Sequence, residues 1–149
     1  MDRIDLKILK LVQTDSATPV SQIAKTVGLS TSPCWKRITR LREQGIIKQQ
    51  VSILNASKLG FGLTAYVSIK TGEHSGNWLD KFSKTVTDMP EVMEFHRMAG
   101  DVDYMLKVVV ADIDAFDKFY KRLIGSSPIS EVTSRFSMEK IKETTKLPI

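Results

Sequence analysis

Residues 20–42 are the part of this sequence that most narrows the folds open to it. A short amphipathic segment ends at Gly28, and a longer segment rich in Lys and Arg follows almost at once. The spacing predicts two helices that cross at a tight turn, because glycine adopts the positive φ that such a turn requires. The apolar positions recur at the helical period: Ile23, Ala24, Val27, Cys34, Ile38 and Leu41. Together they predict a helix-turn-helix whose second helix presents a basic face.

That basic face predicts DNA as a partner, because a polar, cationic helix of this size fits the major groove. Residues 1–60 hold ten Lys and Arg against four Asp and Glu, a net charge of +6, whereas the rest of the chain, with 12 basic and 13 acidic residues, carries −1. An ordinary solvated helix pair, the alternative, does not require this concentration of charge. Trp35 is expected to pack largely against neighbouring helices. The residues predicted to contact double-stranded DNA are Ser30, Ser32, Trp35, Lys36, Arg37, Thr39, Arg40 and Arg42.

The composition argues against membrane and secreted proteins. No apolar run approaches the roughly 18 residues of a membrane-spanning helix, and no signal-peptide pattern opens the sequence. The single cysteine, Cys34, excludes an intrachain disulfide and suits a reducing compartment. Its inward helical position predicts a core residue, with a redox-sensing thiol as the alternative. We therefore predict a cytoplasmic protein that does not associate with membranes.

The sequence gives no sign of an enzyme. It contains no recognisable Ser/His/Asp or Cys/His set and no glycine loop of Walker spacing. The two histidines, His74 and His96, lie far apart and have no further ligand at a metal-binding spacing. The prediction is a protein without catalytic residues, metal or cofactor.

The pattern of apolar residues changes after the first third of the chain. Residues 48–54 are predicted to be extended, as a wing or a linker strand, and the glycines of 55–62 predict a boundary between domains at 1–60 and 61–149. Four strands and two helices then follow in the order β-α-β-β-α-β, the last strand spanning 129–141. The sequence therefore predicts an α+β protein in which a helix-turn-helix (winged-helix-like) domain is joined to a C-terminal ferredoxin-like βαββαβ domain.

The third predicted strand, residues 104–110, indicates self-association. Met105 and Val109 flank Lys107 on the face that the two helices leave open. A sheet with one solvated face usually shows a polar row there, so we expect a second copy to cover it in a two-fold dimer. A dimer also suits a helix-turn-helix protein, because such proteins commonly read two half-sites about 34 Å apart.

Ordered motifs along nearly the whole chain resemble the Lrp/AsnC, or feast/famine, family of transcription regulators. They are DLKIL at 5–9, VGLS at 27–30, CWKRI at 34–38, LGFGLTA at 59–65, MPEV at 89–92, GDVDY at 100–104 and LPI at 147–149. The chain departs from the family at 15–17, where Asp-Ser-Ala replaces the common Asp-Gly-Arg. Residues 31–37, 97–100, 119–123 and 142–149 are most similar to a cysteine-responsive subgroup.

This resemblance implies a regulator of amino-acid metabolism that responds to a free amino acid. It also implies a homodimer, which in the family often assembles further into an octamer. The effector is then expected near the loop between the second and third strands, where backbone N–H groups around Gly100 meet a carboxylate and Asp101 or Asp103 meets the ammonium group. The alternative is a tight hairpin whose Gly and Asp residues only form the turn. A second alternative for the whole protein is an architectural DNA-binding protein without an effector. The residues predicted to contact the effector are Met98, Gly100, Asp101, Asp103, Tyr104, Thr133 and Ser134.

Overall fold

The computed structural model describes residues 1–72 and 75–149. His74 lies outside the described residues. The chain forms two compact units, the first containing residues 1–53 and 142–149 and the second containing residues 54–141. Residues 142–149 thus belong to the first unit, although the predicted boundary at residue 60 places them in the second domain. Within the described part of the chain, no helix has both the length and the apolar character needed to cross a membrane.

Three helices form the first unit: α1 Arg3–Val12, α2 Val20–Val27 and α3 Thr31–Glu43. Helix α1 begins at Arg3 because Asp2 is its N-cap. The Asp2 carboxylate accepts hydrogen bonds from the N–H groups of Ile4 and Asp5, and the Asp5 carboxylate accepts one from the N–H of Asp2. This reciprocal capping box satisfies backbone donors that the first turn of a helix otherwise leaves unpaired.

The predicted turn between the second and third helices is confirmed. Gly28 ends α2 with a φ of 76°, and Pro19 is the N-cap of that helix. Cys34 is fully buried, as its inward position predicted, and burial raises the pKa of its thiol. The buried apolar side chains of this unit are Ile8, Ile23, Ala24, Val27, Cys34, Ile38 and Leu41.

Residues 48–54 are not a strand in this chain. A strand requires a partner ladder, and these residues pair with no other strand among the described residues. The segment is instead tied back to the helices through a side chain. Gln50 accepts a hydrogen bond from Arg42 Nη2 at 2.6 Å and donates one from Nε2 to the carbonyl of Ser16 at 3.0 Å.

The second unit has the predicted order of elements and the predicted ferredoxin-like topology. Its elements are β1 Leu63–Lys70, α4 Gly76–Thr87, β2 Val92–Arg97, β3 Tyr104–Val110, α5 Ile113–Ser126 and β4 Glu131–Phe136. The strands form one antiparallel sheet in the order β2-β3-β1-β4. Strand β4 is much shorter than predicted, because its partner β1 begins at Leu63 and leaves residues beyond 137 with nothing to pair with.

One face of this sheet carries the core. Strand β3 alternates strictly between buried and half-buried residues, with Tyr104 and Leu106 on the buried face. Helices α4 and α5 cover that face, and their apolar stripes include Phe82 and Phe119, both fully buried. An aromatic cluster joins α4 to the sheet, since the rings of Phe82 and Tyr104 lie 5.4 Å apart and those of Phe82 and Phe95 lie 5.9 Å apart.

The open face of the sheet is mixed rather than apolar, which corrects the expectation drawn from β3 alone. Register places Glu94 of β2 beside Lys107, and Lys107 Nζ donates to Glu94 Oε1 at 2.8 Å. The hydrogen bond from Lys107 is the main cause that lowers the pKa of Glu94, and the hydrogen bond with His96 lowers it further. Neighbouring strands thus add polar side chains that the period of a single strand cannot reveal.

The terminal segment, residues 142–149, has no helix or strand but is anchored to α1 within the first unit. The side-chain amide of Gln13 donates from Nε2 to the carbonyl of Leu147 at 3.1 Å. Its Oε1 accepts from the N–H of Leu147 at 2.9 Å. One side chain therefore satisfies both backbone groups of a residue 134 positions away, as a neighbouring strand would.

Candidate nucleic-acid interface and effector loop

The solvent-facing side of α3 is the candidate surface for DNA. Because Cys34, Ile38 and Leu41 point into the core, the helical period turns Ser32, Lys36 and Thr39 away from it. Ser32 and Lys36 are exposed, whereas Thr39 is half-buried, and its Oγ1 has no hydrogen-bond partner. Ser30 is the exposed N-cap of α3, and its side chain makes no capping hydrogen bond.

Arg37 and Arg40, both predicted to contact DNA, lie in an ion-pair cluster with the start of α1. Arg37 Nη1 lies 2.6 Å from Asp2 Oδ2 and 2.8 Å from Asp5 Oδ1. Arg40 Nη2 lies 2.8 Å from Asp5 Oδ2. The Asp5 side chain is only 1% exposed, and that of Arg37 is 26% exposed. The sequence prediction treated both arginines as outward-facing DNA contacts, whereas the fold pairs them with carboxylates.

The cluster is electrostatically stable. Backbone hydrogen bonding from Asp5 and the Arg37 guanidinium lower the pKa of Asp2 to about 2. Burial raises the pKa of Asp5, but the N–H of Asp2 and the guanidinium of Arg37 outweigh it, so the net shift is downward. The same contacts raise the pKa of Arg37. Asp2, Asp5 and Arg37 are therefore charged at neutral pH.

Trp35 and Arg42 form a second cluster on the side of α3 away from Arg37. The Arg42 guanidinium carbon lies 5.7 Å from the centroid of the Trp35 ring, a cation–π geometry. Trp35 is 49% exposed, so the expectation that it packs largely against neighbouring helices is wrong. Arg42 is also held by Gln50, and through Gln50 by the turn between α1 and α2. This arrangement fixes a cation and an exposed aromatic ring at one edge of the candidate surface.

The loop between β2 and β3 is closed by Asp103. The carbonyl of Asp103 accepts from the N–H of Met98 at 2.8 Å, and its own N–H donates to Ile69 at 2.9 Å. Asp103 Oδ2 accepts from the N–H of Thr71 at 2.8 Å. Gly100 has a φ of 136°, and the loop leaves open space around its Cα. Asp101 is exposed and Met98 is 41% exposed.

The other predicted effector residues do not lie together. Tyr104 is 4% exposed, and its ring belongs to the aromatic cluster under the helices. Thr133 and Ser134 are adjacent on β4 and so point to opposite faces of the sheet. Ser134 Oγ is buried on the helix-covered side without a hydrogen-bond partner. Within one protomer, the open side of the loop presents Met98, Gly100 and Asp101, whereas Tyr104 and Ser134 lie on the helix-covered side of the sheet.

Three polar residues of the first unit, Asp5, Gln13 and Gln50, make structural contacts that the sequence analysis does not predict. For Asp5 a local signal existed, since Asp2 and Asp5 have the spacing of a capping box. Gln13 and Gln50 carry no such signal, because their partners are distant in sequence or lie in irregular segments. No group of three His, Cys, Asp or Glu side chains arranged to hold a metal ion occurs among residues 1–72 and 75–149.

Comparison with known proteins adds two family matches that together span most of the chain. Residues 1–48 match winged helix-turn-helix DNA-binding domains, and residues 64–147 match the Lrp/AsnC ligand binding domain. The chain is 51% identical over 150 residues to the DNA-binding transcriptional activator DecR of Escherichia coli K12. The alignment covers 100% of this chain and 99% of DecR. It is 43% identical over 149 residues to the glutamate uptake regulatory protein of Zymomonas mobilis, covering 100% of this chain and 91% of that protein.

Solved structures have the same architecture. An AsnC family transcriptional regulator from Agrobacterium tumefaciens is 53% identical and superposes with a TM-score of 0.96, over 99% of this chain and 97% of that one. A transcriptional regulator from Neisseria meningitidis in complex with L-Met is 29% identical, with a TM-score of 0.94 over 99% of this chain and 96% of that one.

Proposed function

We infer that this chain, which belongs to the Lrp/AsnC family of transcriptional regulators, reads a specific operator sequence through α3. Family membership makes it a DNA-binding transcriptional regulator with an amino-acid effector domain, and not an enzyme. The specific operator, the amino acid and the assembly are the parts that we propose.

The observation that carries the DNA-reading proposal is the composition of the solvent-facing side of α3. Lys36 is exposed there, and it forms no ion pair within the described residues. Arg42 is aligned by Trp35 and Gln50, so less of its side-chain entropy is lost on binding. Ser32 is exposed on the same side and offers a hydroxyl group to base edges or phosphates, whereas the Thr39 hydroxyl oxygen is buried.

Operator reading is tested by selecting bound duplexes from a random pool and comparing the best sequence with a shuffled duplex of equal length at fixed salt. We expect the selected duplex to bind at least about 1,000-fold more tightly, the lower range for specific regulators. A ratio near one indicates the architectural alternative, a protein that binds DNA with little preference. Lys36→Gln is expected to weaken binding to both duplexes, and Lys84→Gln, an exposed lysine near the end of α4, serves as the matched control.

For the effector, we propose a small free amino acid at the loop between β2 and β3. Gly100 keeps the backbone open to a carboxylate, and the exposed Asp101 is the available partner for an ammonium group. Of the two acidic residues predicted to bind the ammonium group, Asp103 is the poorer candidate, because its carboxylate already accepts a hydrogen bond from the N–H of Thr71. Cysteine is proposed first, on the sequence resemblance described above. Methionine is the comparison ligand, because the Neisseria meningitidis relative was solved with it.

The effector proposal is tested by a thermal-shift screen of the twenty amino acids followed by calorimetric titration. A ligand at 100 times its Kd stabilises the native state by about 2.7 kcal/mol, which is a large shift for a domain of this size. Asp101→Asn is expected to abolish the shift, and Asp80→Asn, an exposed acid on α4, is the control with the same charge change. A full shift with Asp101→Asn places the ligand elsewhere.

We propose that the open face of the sheet forms a two-fold dimer. The half-buried Met105 and Val109 and the 43% exposed Tyr66 supply apolar surface, and Lys107 and Glu94 supply charges of both signs that suit a self-complementary interface. Light scattering of the full chain is expected to give at least twice the 16.8 kDa of one protomer. Tyr66→Arg is expected to raise the monomer fraction, whereas Ile113→Arg, on the exposed side of α5, leaves it unchanged. The octamer stays a prediction from the family resemblance.

A further inference from the structure

The ion-pair cluster of Asp2, Asp5, Arg37 and Arg40 does more than cap α1, because it also holds two arginines of α3. The single Nη1 of Arg37 contacts one oxygen of each carboxylate, at 2.6 and 2.8 Å. The remaining oxygen of Asp5 accepts from Arg40 and from the N–H of Asp2. Asp5 thus holds two arginines that lie one turn apart on α3, and both of its oxygens are occupied.

Asp5 is the fixed point of this cluster because it is buried. Removing an arginine from a buried carboxylate leaves an uncompensated charge, and breaking such pairs is strongly unfavourable. Arg37 would have to leave both carboxylates to reach a phosphate. Arg40 is 47% exposed and uses one of its five donors on Asp5, so it is less constrained.

The cluster also removes charge from the DNA-binding surface. Helix α3 carries four cations, Lys36, Arg37, Arg40 and Arg42, and the two carboxylates of α1 neutralise two of them. Non-specific binding to DNA depends on the number of phosphates that a protein neutralises, and each phosphate contributes a slope of about 0.9 in the logarithm of affinity against the logarithm of salt concentration. Because a phosphate contact contributes about equally on every sequence, neutralising these arginines in place weakens binding to operator and random DNA alike.

We propose that Asp2 and Asp5 are positioning residues for DNA binding: they keep Arg37 from contacting phosphates and so lower the affinity for DNA of any sequence. The lowered pKa values of both carboxylates keep the cluster charged throughout the neutral range. The proposal rests on the proposed operator reading, but its central quantity, the salt slope on random DNA, is measured without any operator.

The test uses Asp2→Asn in the full chain, because asparagine caps a helix about as well as aspartate and removes only the charge. Affinity for a random duplex is measured by fluorescence anisotropy between about 50 and about 200 mM salt, the range in which such slopes are large. With the charge of Asp2 removed, Asp5 alone balances only one of the two arginines that it holds, so one cation of the cluster becomes available to a phosphate. We expect tighter random binding and a slope steeper by about 0.9, the value for one added phosphate contact. The preference for the selected duplex is expected to stay the same, because an added phosphate contact strengthens binding to both duplexes about equally.

The control is Glu43→Gln, which makes the same charge change on α3 itself. Glu43 is exposed and forms no ion pair among the described residues, so its loss releases no arginine. The double variant Asp2→Asn/Arg37→Gln is expected to return the slope to the wild-type value. Equal slopes for Asp2→Asn and Glu43→Gln overturn the proposal, as does a steeper slope that survives in the double variant. A wild type without operator preference defeats the proposed function instead, and the slopes still decide the role of Asp2.

Discussion

Replacing Asp5 by asparagine is expected to destabilise the first unit, and the loss can be estimated from its contacts. The carboxylate accepts three hydrogen bonds, from the N–H of Asp2 and from Arg37 and Arg40, and is 1% exposed. An amide keeps one acceptor oxygen but turns an NH₂ group toward an arginine, so at least one donor is left facing another donor. A hydrogen bond to a charged group contributes about 1.5–3 kcal/mol. Because both arginines are partly exposed, we expect about 2 kcal/mol, the lower part of that range.

The two tryptophans allow the measurement, because Trp35 lies in the first unit and Trp78 in the second. In a Trp78→Phe background, Trp35 fluorescence during urea unfolding reports the first unit alone. The expected result is a lower midpoint at an unchanged m-value, since the surface exposed on unfolding stays the same. Leu6→Gln, a half-buried neighbour on α1, controls for general loss of helix packing. A loss below about 0.5 kcal/mol, the size of an ordinary surface substitution, refutes the argument that Asp5 is a buried anchor.

The pH dependence of this difference has a definite sign. The pKa values of Asp2 and Asp5 are lower in the folded protein than their usual values, so the stability that they contribute is present above about pH 3.9, the ordinary pKa of aspartate. It is lost as the pH falls toward the folded pKa of Asp2, about 2. The difference in unfolding free energy between wild type and Asp5→Asn should therefore be constant between about pH 5 and about pH 8. It should become smaller as the pH falls below that range.

Three further substitutions give distinct expected outcomes. Trp35→Ala should cost less than about 1 kcal/mol of stability in urea unfolding, because the ring is 49% exposed, yet weaken DNA binding in anisotropy as Arg42 loses its stacking partner; a large stability loss with full DNA binding contradicts this. Gln13→Ala should free the terminal segment, seen as faster hydrogen exchange at Leu147, while Gln49→Ala, an exposed control, leaves exchange unchanged. Gly100→Val should abolish the effector shift and spare DNA binding, because a β-branched residue disfavours a φ of 136°; calorimetry with wild-type affinity would place the effector site away from this loop.

The sequence by itself determined the elements whose signals are local. The period of apolar residues marked α2, α3, α4 and α5, and Gly28 marked the turn because only its own backbone freedom was needed there. The burial of Cys34 and the βαββαβ order followed from the same periodicities. Strand lengths were less secure, because the end of β4 depends on where its partner β1 begins.

Only the tertiary structure decided how the polar residues are used. Arg37 meets Asp5 across 32 positions, and Gln13 meets Leu147 across 134, so no local pattern could pair them. Tyr104 and Ser134 have side chains typical of a binding site, yet the sheet turns both toward the helix-covered face. A helical or strand period fixes which residues share a face, but the partner of a charge depends on which other element packs against that face. For this reason the sequence located the basic helix, and the fold decided which of its cations remain free for DNA.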